Sequence, residues 1–182
     1  MGPRFVRLAA VFYGLLVVAA AVWCGLRGID LPILGPRPVT GLLLGLTTAA
    51  STVSLSLLAY RLIPVTRKLA EELAPTLVDG TDRAGLVLLA LFSGIGEEVF
   101  FRGAVQQEFG ILIASAAFGL AHVGPDRRFV LWTVWAIVAG VVFGLLFEAT
   151  GGLLAPVTAH AAHNAATLLI WKRSRGSGPQ AP

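Results

Sequence analysis

The sequence predicts an all-α, polytopic integral membrane protein with about six transmembrane helices. Three observations lead to this fold class. Of the 182 residues, 56% are hydrophobic and only 13% are charged, whereas a soluble domain has about 45–50% apolar and about 25% charged residues. The mean hydropathy is +0.80. The apolar residues also form long runs, and a helix needs about 20 of them to cross the bilayer core.

The same composition excludes a soluble globular protein, a disordered protein and a nucleic-acid-binding protein. The formal net charge is +4, but no clustered basic face of the kind that holds nucleic acid is visible. Basic loops that face anionic lipid explain the charge. Cys24 is the single cysteine, so an intramolecular disulfide and a cysteine-rich metal site are both excluded.

Six apolar runs are the predicted membrane spans. The first follows Arg4 and Arg7 and resembles a signal peptide, but its length and the lack of a small-residue cleavage site indicate a retained helix. The third run carries polar residues in its second half, and the fourth is short. The predicted spans are residues 8–26, 40–60, 84–106, 109–123, 129–147 and 153–171.

The basic residues predict the orientation of these spans. If the amino terminus is cytoplasmic, eleven basic residues fall in inner loops and only two, Arg27 and Arg37, fall in outer loops. Cytoplasmic loops carry an excess of lysine and arginine. We therefore expect a multi-pass protein of the cell (inner) membrane with both termini in the cytoplasm.

The chain is predicted to form one membrane domain, residues 1–182. Two amino-terminal helices and a linker occupy residues 1–83, a four-helix core occupies 84–171, and a disordered basic tail occupies 172–182. Within the linker, residues 65–78 have the pattern of an interfacial amphipathic helix. Its wet side would carry three charged residues: Lys68, Glu71 and Glu72.

Glycine and proline mark connections and contacts between helices. The segment Gly35-Pro36-Arg37-Pro38 predicts an extended outer connection between the first two spans. Two glycine pairs predict places where helices pack closely, because a glycine lets two backbones approach each other. These pairs are Gly41 with Gly45, and Gly140 with Gly144.

A compact set of polar residues lies inside the predicted spans. Ionisable groups are expensive within a membrane, face a protein interior or a wet cavity, and by default indicate function. All three histidines of the chain belong to this set. The set comprises Glu97, Glu98 and Arg102 in the third span, His122 in the fourth, and His160, His163 and Asn164 in the sixth.

The spacing of these residues predicts which of them can pair. Glu98 and Arg102 are four residues apart, so they lie on one helical face and can form an ion pair. Glu97 points about 100° away from Glu98, so a different helix must supply its partner. His160 and Asn164 are also four residues apart and therefore point the same way. Three helices would thus each contribute a polar face to one site.

Two chemistries are open to such a site. A carboxylate and histidines can bind and deprotonate a water molecule, while a histidine and an asparagine stabilise an oxyanion, which together suffice to hydrolyse a peptide bond. A glutamate with two histidines can also bind zinc, with Glu97, His122 and His160 as candidate ligands. The sequence contains neither an H-E-x-x-H motif nor a serine–histidine–aspartate set.

Three short motifs occur in order along the chain. Residues 97–102 read E-E-V-F-F-R, residues 118–122 read F-G-L-A-H, and residues 160–164 read H-A-A-H-N. As E-E-x-x-x-R, F-x-x-x-H and H-x-x-x-N on three spans, they resemble the CPBP family of intramembrane proteases. That family includes CAAX prenyl endopeptidases and bacterial, Abi-like proteins linked to bacteriocin processing or self-immunity. The resemblance covers residues 84–171.

The resemblance implies a role for each motif residue. Glu97 would activate water with help from His122, and His160 and Asn164 would stabilise the oxyanion. His160 would instead be a metal ligand if the enzyme uses a divalent metal such as zinc. The remaining motif positions, Glu98, Arg102 and Phe118, would support the site. His163 lies inside the third motif and is either an additional ligand or a neighbour on the helix.

The resemblance also bounds the function. It implies an endopeptidase that acts on a membrane-anchored protein or peptide within the lipid bilayer. A prenylated CAAX protein is a poor general substrate here, because such substrates are eukaryotic and this small chain, rich in alanine and arginine, looks bacterial. Two other classes remain open: a non-catalytic scaffold or immunity protein of the same fold, and a haem-binding redox protein with His122 and His160 or His163 as axial ligands.

The six-span topology leaves a mismatch in depth. Glu97 lies about 20 Å along its helix from residue 84, at 1.5 Å per residue, whereas His122 falls at the cytoplasmic end of the next span. A third helix that begins below the membrane, a fourth helix that continues past Val123, or a break at Gly94 and Gly96 would each remove the mismatch. The first is favoured, because Asp82 provides a helix start that projects into water.

Overall fold

The chain is entirely helical in the part that the structure describes. The computed structural model describes residues 2–176, apart from the side chains of residues 76, 77, 128 and 176. Over these residues it contains seven longer helices, a short 3-10 helix at Arg127–Phe129 and no strand, which confirms the all-α class. The helices are α1 (Gly2–Arg27), α2 (Pro38–Leu62), α3 (Pro64–Val78), α4 (Arg83–Phe109), α5 (Ile111–Leu120), α6 (Val130–Thr150) and α7 (Leu154–Gly176).

Four helices, α1, α2, α4 and α6, are long and apolar enough to cross a membrane. This supports a polytopic membrane protein but not six full spans. The fourth predicted span, residues 109–123, contains only the ten residues of α5. Ten residues extend about 15 Å, half of a bilayer core of about 30 Å. The sixth, α7, has 23 residues but is too polar to count by composition.

Helix α7 runs through the centre of the bundle. It packs against α2, α3, α4 and α6, and no residue between 152 and 169 is exposed. A helix that is largely surrounded by other helices presents little surface to lipid, so it can carry polar side chains toward its neighbours. The low hydropathy of α7 therefore follows from its central position.

Glycines allow the helices to approach α7 and α4 closely. A Cβ atom at Gly45 would lie 2.7 Å from the carbonyl oxygen of Ala155, and one at Gly94 would lie 2.8 Å from the amide nitrogen of Ala161. Both predicted glycine pairs lie at such contacts, since Gly45 faces α7 and Gly140 faces α5. These positions hold the backbones of neighbouring helices within van der Waals distance.

Helix α4 changes its winding where the polar residues begin. Its start is capped by the carboxylate of Asp82, which accepts a hydrogen bond of 2.8 Å from the amide of Gly85. It is α-helical over Arg83–Glu98, π-helical over Val99–Gln106 and α-helical again to Phe109. It ends at Gly110, where φ is +83°, a conformation that glycine adopts readily. Wide π turns are frequent at functional sites.

The connection between α1 and α2 covers the start of α7. The carbonyl groups of Pro32 and Ile33 accept hydrogen bonds of 2.8 and 2.9 Å from the amides at the start of α7. These amides would otherwise lack partners, as all first amides of a helix do. Gly35 has φ +70°, and a Cβ atom there would lie 2.6 Å from the carbonyl oxygen of Thr150. The connection therefore fastens one end of α7.

Helix α3 is amphipathic, as its sequence pattern predicts. Lys68, Glu71 and Glu72 are exposed, whereas Leu69 and Ala74 are buried. The buried face packs on α2 and α7. The charged residues lie on the opposite face, where Glu71 accepts a hydrogen bond of 3.1 Å from the hydroxyl of Tyr60.

The carboxyl-terminal end of α7 differs from its prediction. Residues 172–176 are helical, although they belong to the tail for which disorder is expected. Arg175 donates hydrogen bonds of 2.8 and 2.7 Å to the carboxylate of Asp79, and Lys172 donates to the carbonyl of Val78. These contacts with the end of α3 stabilise the last helical turns. The rest of the predicted tail, 177–182, lies outside the described residues.

The ends of α4 and α6 lie at different levels. The hydroxyl of Thr133 lies 3.4 Å from the carbonyl oxygen of His122, so His122 is level with the first turn of α6. Glu97 lies level with His122, yet it is fourteen residues from the start of α4, a distance of about 21 Å. The start of α4 therefore extends beyond the start of α6.

Candidate active site

Helix α4 places three charged side chains in the interior of the bundle. Glu97 is 8% exposed, while Glu98 and Arg102 are completely buried. The two glutamates end the α-helical part of α4, and Arg102 lies in the π-helical part. Buried charges of this kind need charged or hydrogen-bonding partners. The surroundings of the two glutamates differ in this respect.

Glu98 is the centre of a hydrogen-bonded network. Its Oε1 lies 3.0 Å from Nη1 of Arg102 and 2.7 Å from Nδ1 of His160. Arg102 also donates through Nη2 to the carbonyl oxygen of Gly140, at 2.9 Å. The ion pair that the spacing of Glu98 and Arg102 predicts is therefore present. It joins α4 to α6 and α7.

Glu97 faces two histidines that belong to other helices. Its Oε2 lies 3.7 Å from Nε2 of His122 and 3.9 Å from Nε2 of His160. Both distances are longer than a direct hydrogen bond, and a single water molecule can bridge such gaps. Among the described residues, Oε2 of Glu97 has no hydrogen-bond partner. As the sequence predicts, the groups that face Glu97 come from outside its own helix.

The other nitrogen of each histidine is held in place. Nδ1 of His122 lies 2.7 Å from the carbonyl oxygen of Phe118, to which it donates. Nδ1 of His160 donates to the carboxylate of Glu98. Each ring is therefore oriented so that its Nε2 points toward Glu97. Such fixed imidazoles are the usual arrangement of histidines that act as acids, bases or ligands.

Two phenylalanines enclose the charged network. The guanidinium carbon of Arg102 lies 4.6 Å from the ring centroid of Phe118 and 5.6 Å from that of Phe143. The ring of Phe143 stacks on His160 with a centroid distance of 5.2 Å. The rings exclude water from one side of the ion pair, which strengthens its electrostatic interactions.

The remaining polar residues of α7 bind two different helices. Nδ2 of Asn164 donates to the hydroxyl of Ser93 on α4 at 3.0 Å, one helical turn from Glu97. His163 turns instead toward α2, where its Nδ1 lies 2.9 Å from the hydroxyl of Thr52. His160 and Asn164 thus share the α4-facing side, as their spacing predicts, and His163 does not.

A cavity adjoins the charged network. Its polar wall contains all three histidines, and its other walls are aromatic or small side chains contributed by α2, α5, α6 and α7. It is lined by Thr52, Phe118, His122, Trp132, Trp135, Ala136, Ala139, Phe143, His160, His163 and Asn164. An apolar cavity with a few convergent polar groups is the usual form of a binding site.

The donor groups do not form a metal centre as they are arranged. In the described part of the chain, no three histidine, cysteine, aspartate or glutamate side chains are grouped so that they could hold a metal ion. Among the candidate zinc ligands, His122 and His160 both face Oε2 of Glu97. The three side chains are nevertheless not grouped as the ligands of a metal ion. No step of the chemistry below is therefore assigned to a metal.

Three residues near the site carry no signal in the sequence. Tyr13 of α1 packs on Gly96 and has its hydroxyl beside the carboxylate of Glu97. Phe143 belongs to an apolar run, and Thr52 is one of several hydroxyl residues in α2. Near Phe143, only the pair Gly140 and Gly144, which are four residues apart, indicates that helices pack closely. Contacts between segments that are far apart in the sequence bring these residues to the site.

Comparison with known proteins agrees with the motifs. Residues 80–166 match the family model described as type II CAAX prenyl endopeptidase Rce1-like. The chain is also similar to the uncharacterized protein YpbD of Bacillus subtilis (strain 168), with 35% identity over 77 residues. The aligned segment covers 41% of this chain and 39% of YpbD, so the chain spans about two fifths of that relative. No solved structure matches the chain.

The matched range contains every motif residue of the site. It begins before the first glutamate of E-E-x-x-x-R and ends after the asparagine of H-x-x-x-N. The helices α1 and α2, which contribute Tyr13 and Thr52, lie outside it. The matched family is a family of proteases. The resemblance to CAAX-type intramembrane proteases that the three motifs predict is thus confirmed over residues 80–166.

Proposed function

We propose that this protein is an intramembrane endopeptidase in which Glu97 activates the attacking water. One observation carries the proposal: Oε2 of Glu97 lies 3.7 and 3.9 Å from the Nε2 atoms of two fixed histidines. A water molecule between these groups would be held by the imidazoles and face the carboxylate. That is the geometry a general base requires.

The proposed reaction moves one proton through Glu97. Glu97 takes a proton from the water, whose oxygen attacks the carbonyl carbon of the scissile peptide bond. The carbon–nitrogen bond then breaks, and Glu97 returns the proton to the leaving amine. The carboxylate is regenerated and no other reactant is consumed. His122 assists by orienting the water through Nε2, since its Nδ1 is held by Phe118.

His160 and Asn164 are proposed to stabilise the oxyanion. Asn164 donates one hydrogen of its amide to Ser93 and retains a second for the substrate. His160 donates through Nδ1 to Glu98, so it donates through Nε2 only when the ring carries both protons. Preorganised donors of this kind contribute much of the rate in acyl transfer.

The network of Glu98 and Arg102 is proposed to be a support for the site. Arg102 fixes α4 to α6 through Gly140, and Glu98 fixes α4 to α7 through His160. The support keeps Glu97 and the two Nε2 atoms at their mutual distances. A displacement of these groups by about 1 Å is enough to lower the reaction rate by about 100-fold.

The substrate is proposed to be a membrane-anchored protein or peptide. The cavity that His122 and His160 line has aromatic walls, and the chain contains several apolar helices. We place the chain in the cell membrane with six membrane segments, of which α5 is half-length and α7 is enclosed. Both termini then lie in the cytoplasm, and the site lies near the cytoplasmic end of α6.

The test is a comparison of membrane-protein termini by mass spectrometry. A deletion strain would express the wild-type protein, Glu97→Gln or the control Glu148→Gln at matched levels. Glu148 is an exposed carboxylate near the other end of α6. A set of new termini that needs Glu97 but not Glu148 supports the proposal and names the substrates. A general base contributes about 10²–10⁴-fold in rate, so Glu97→Gln removes these termini.

Two other outcomes would favour the alternatives. If Glu97→Gln changes no termini yet restores a phenotype of the deletion strain, the protein is a scaffold or immunity protein that binds without cutting. If the metal chelator 1,10-phenanthroline abolishes the termini in membranes of the wild-type strain, the site works through a bound metal. Both results are read from the same preparation.

A further inference from the structure

His163 and Thr52 form a pair that the proposed chemistry does not use. His163 lies one helical turn after His160 on α7, and Thr52 lies on α2. Nδ1 of the histidine is 2.9 Å from Oγ1 of the threonine. Thr52 is 7% exposed, and both side chains line the cavity. The pair therefore joins α2 to the wall of the candidate active site.

The hydrogen bonds of Thr52 determine which nitrogen of His163 carries the proton. Oγ1 of Thr52 lies 3.0 Å from the carbonyl oxygen of Thr48 and 3.1 Å from that of Ala49. A carbonyl oxygen only accepts, so the single hydroxyl hydrogen is directed to one of these groups. With the hydroxyl hydrogen on one of these carbonyls, Oγ1 accepts a hydrogen bond from His163, whose Nδ1 donates. In the neutral ring, Nε2 is left as an acceptor.

This acceptor is free to bind a ligand. Among the described residues, Thr52 is the hydrogen-bond partner of the His163 imidazole, which it contacts at Nδ1. The ring of Trp135 lies beside it with a centroid distance of 6.4 Å, so an aromatic surface holds the imidazole from one side. His163 thus offers the cavity a lone pair whose direction is set by two neighbours.

A peptide bound in this cavity needs such an acceptor. Each backbone N–H that leaves water must find a partner, because an unpaired buried amide costs several kcal/mol in an apolar environment. Most of the cavity wall consists of aromatic rings and alanine side chains, which accept hydrogen bonds poorly. His122 and His160, the other imidazoles of the wall, are directed at Glu97.

We propose that Nε2 of His163 accepts a hydrogen bond from a backbone N–H of the substrate, next to the scissile bond, and that Thr52 orients it. This inference rests on the proposed function, because Glu97 and His160 define where the scissile bond lies. His163 is three residues beyond His160, about 4.5 Å along α7. An extended peptide advances about 3.3 Å per residue, so the amide concerned belongs to an adjacent residue.

The proposal makes His163 a residue that selects substrates by their backbone. Proline has no N–H, and an N-methylated residue has none either. A substrate with such a residue at the position that faces His163 would leave Nε2 without a partner. Side-chain identity at that position would matter much less.

The experiment measures peptide binding to the full chain in lipid vesicles, using Glu97→Gln so that nothing is cleaved. Because the contact is with the backbone, a generic apolar peptide is a suitable probe. The probes are acetyl-Ala-Leu-Ala-Leu-amide and four analogues, each N-methylated at one residue. Dissociation constants are read from ¹⁵N shifts of labelled histidine. The same series is run with His163→Asn, His163→Gln and Thr52→Val in the same background.

The two substitutions of His163 distinguish its hydrogen bond to Thr52 from the hydrogen bond that its Nε2 accepts. Asparagine places an amide where Nδ1 stands and so keeps the bond to Thr52, but it has no acceptor at the position of Nε2. Glutamine reaches that position with its amide oxygen. We expect one analogue to bind the His163-containing protein about tenfold more weakly than the parent peptide, which is the usual factor for one lost hydrogen bond. His163→Asn abolishes that difference and His163→Gln keeps it.

Thr52→Val removes the orienting hydroxyl with little change of shape. The parent peptide is expected to bind it several-fold more weakly, with a reduced effect of N-methylation. The inference is overturned if N-methylation has the same effect with histidine and with asparagine at position 163. It is also overturned if the parent peptide does not bind at any soluble concentration.

Binding is measured without turnover, so this result is independent of the test of Glu97. If Glu97→Gln leaves the cellular termini unchanged while the N-methyl effect depends on position 163, the protein binds peptides without cutting them. If the termini depend on Glu97 but the N-methyl effect is absent, the protease proposal stands and the role of His163 does not. Circular dichroism of each variant checks that the helices are intact.

Discussion

Two adjacent glutamates show how much the surroundings of a residue determine its role. Glu98 is bound by Arg102 and His160 at 3.0 and 2.7 Å. Glu97 lies 3.7 Å from the nearer of its two histidines. Through Oε1 the first carboxylate holds helices together, and Oε2 of the second is left available for a small molecule.

The difference predicts unequal effects of the same substitution. Glu98→Gln leaves the guanidinium of Arg102 buried without its counter-charge, and breaking a buried ion pair costs about 3–5 kcal/mol. Glu97→Gln removes a carboxylate whose contacts with His122 and His160 are longer, at 3.7 and 3.9 Å, so the free energy of unfolding is expected to change much less. Thermal unfolding in detergent, followed by circular dichroism, measures both. Equal stability of the two variants would contradict this assignment of roles.

The sequence predicts part of this arrangement and not the rest. The four-residue spacing of Glu98 and Arg102 is a local property of one helix, so their pairing can be read from it. The same geometry indicates that Glu97 needs a partner from elsewhere. Which histidine faces which glutamate depends on how three helices pack, and Phe143 enters the site through that packing alone. Local periodicity carries no information about these contacts.

Substitutions of two glycines, one in α4 and one in α1, test how closely the helices pack. A Cβ atom at Gly94 would lie 2.8 Å from the backbone of Ala161, whereas one at Gly14 would have no neighbour within 4 Å. Gly94→Ala is expected to push α4 away from α7, with a loss of about 1–3 kcal/mol from overpacking and a matching loss of peptidase activity. Gly14→Ala should stabilise α1 by up to about 1 kcal/mol.

These variants are compared by their midpoints of thermal unfolding and by the yield of the cleaved termini. Both replace glycine by alanine inside a helix, so helix propensity is matched and only the contact differs. A Gly94→Ala protein as stable as Gly14→Ala would show that α4 and α7 do not touch at this point.

The connection between α1 and α2 offers a second matched pair. Gly35 has φ +70° and Gly28 has φ +66°, so alanine is strained to a similar degree at both. At Gly35 the new Cβ atom would also lie 2.6 Å from the carbonyl oxygen of Thr150, and at Gly28 it would meet nothing. We expect Gly28→Ala to cost about 1 kcal/mol and Gly35→Ala to cost at least twice that. Denaturant unfolding of the purified protein distinguishes the two.

At the scale of elements, the sequence predicts which segments are helical better than where they end. Apolar runs identify α1, α2, α4 and α6, and amphipathic spacing identifies α3. The fourth run was expected to span residues 109–123, but α5 stops at Leu120. The π-helical part of α4, which packs against α1 and α5, has no signal in the sequence. α7 appears polar in sequence because other helices surround it.

The orientation of the whole molecule can be tested with cysteine substitutions. Cys24 is buried, so the wild-type protein provides a background with little labelling. Leu34→Cys and Ser174→Cys introduce exposed thiols at opposite ends of the bundle. Because cytoplasmic loops are rich in lysine and arginine, we expect a membrane-impermeant maleimide to label Leu34→Cys in intact cells. Ser174→Cys should be labelled only after the membrane is permeabilised, and the reverse pattern would invert the topology.

The crossing of α4 over α7 has a consequence for the response of the molecule to compression. At Gly94 the two backbones are so close that a Cβ atom would lie 3.0 Å from Cα of Ala161. Hydrostatic pressure acts by removing internal voids, and such a crossing has no void to remove. The soft region is the aromatic-walled cavity on the other side of α7. Pressure should therefore reduce the volume of this cavity first, while the network of Glu98 and Arg102 keeps its dimensions.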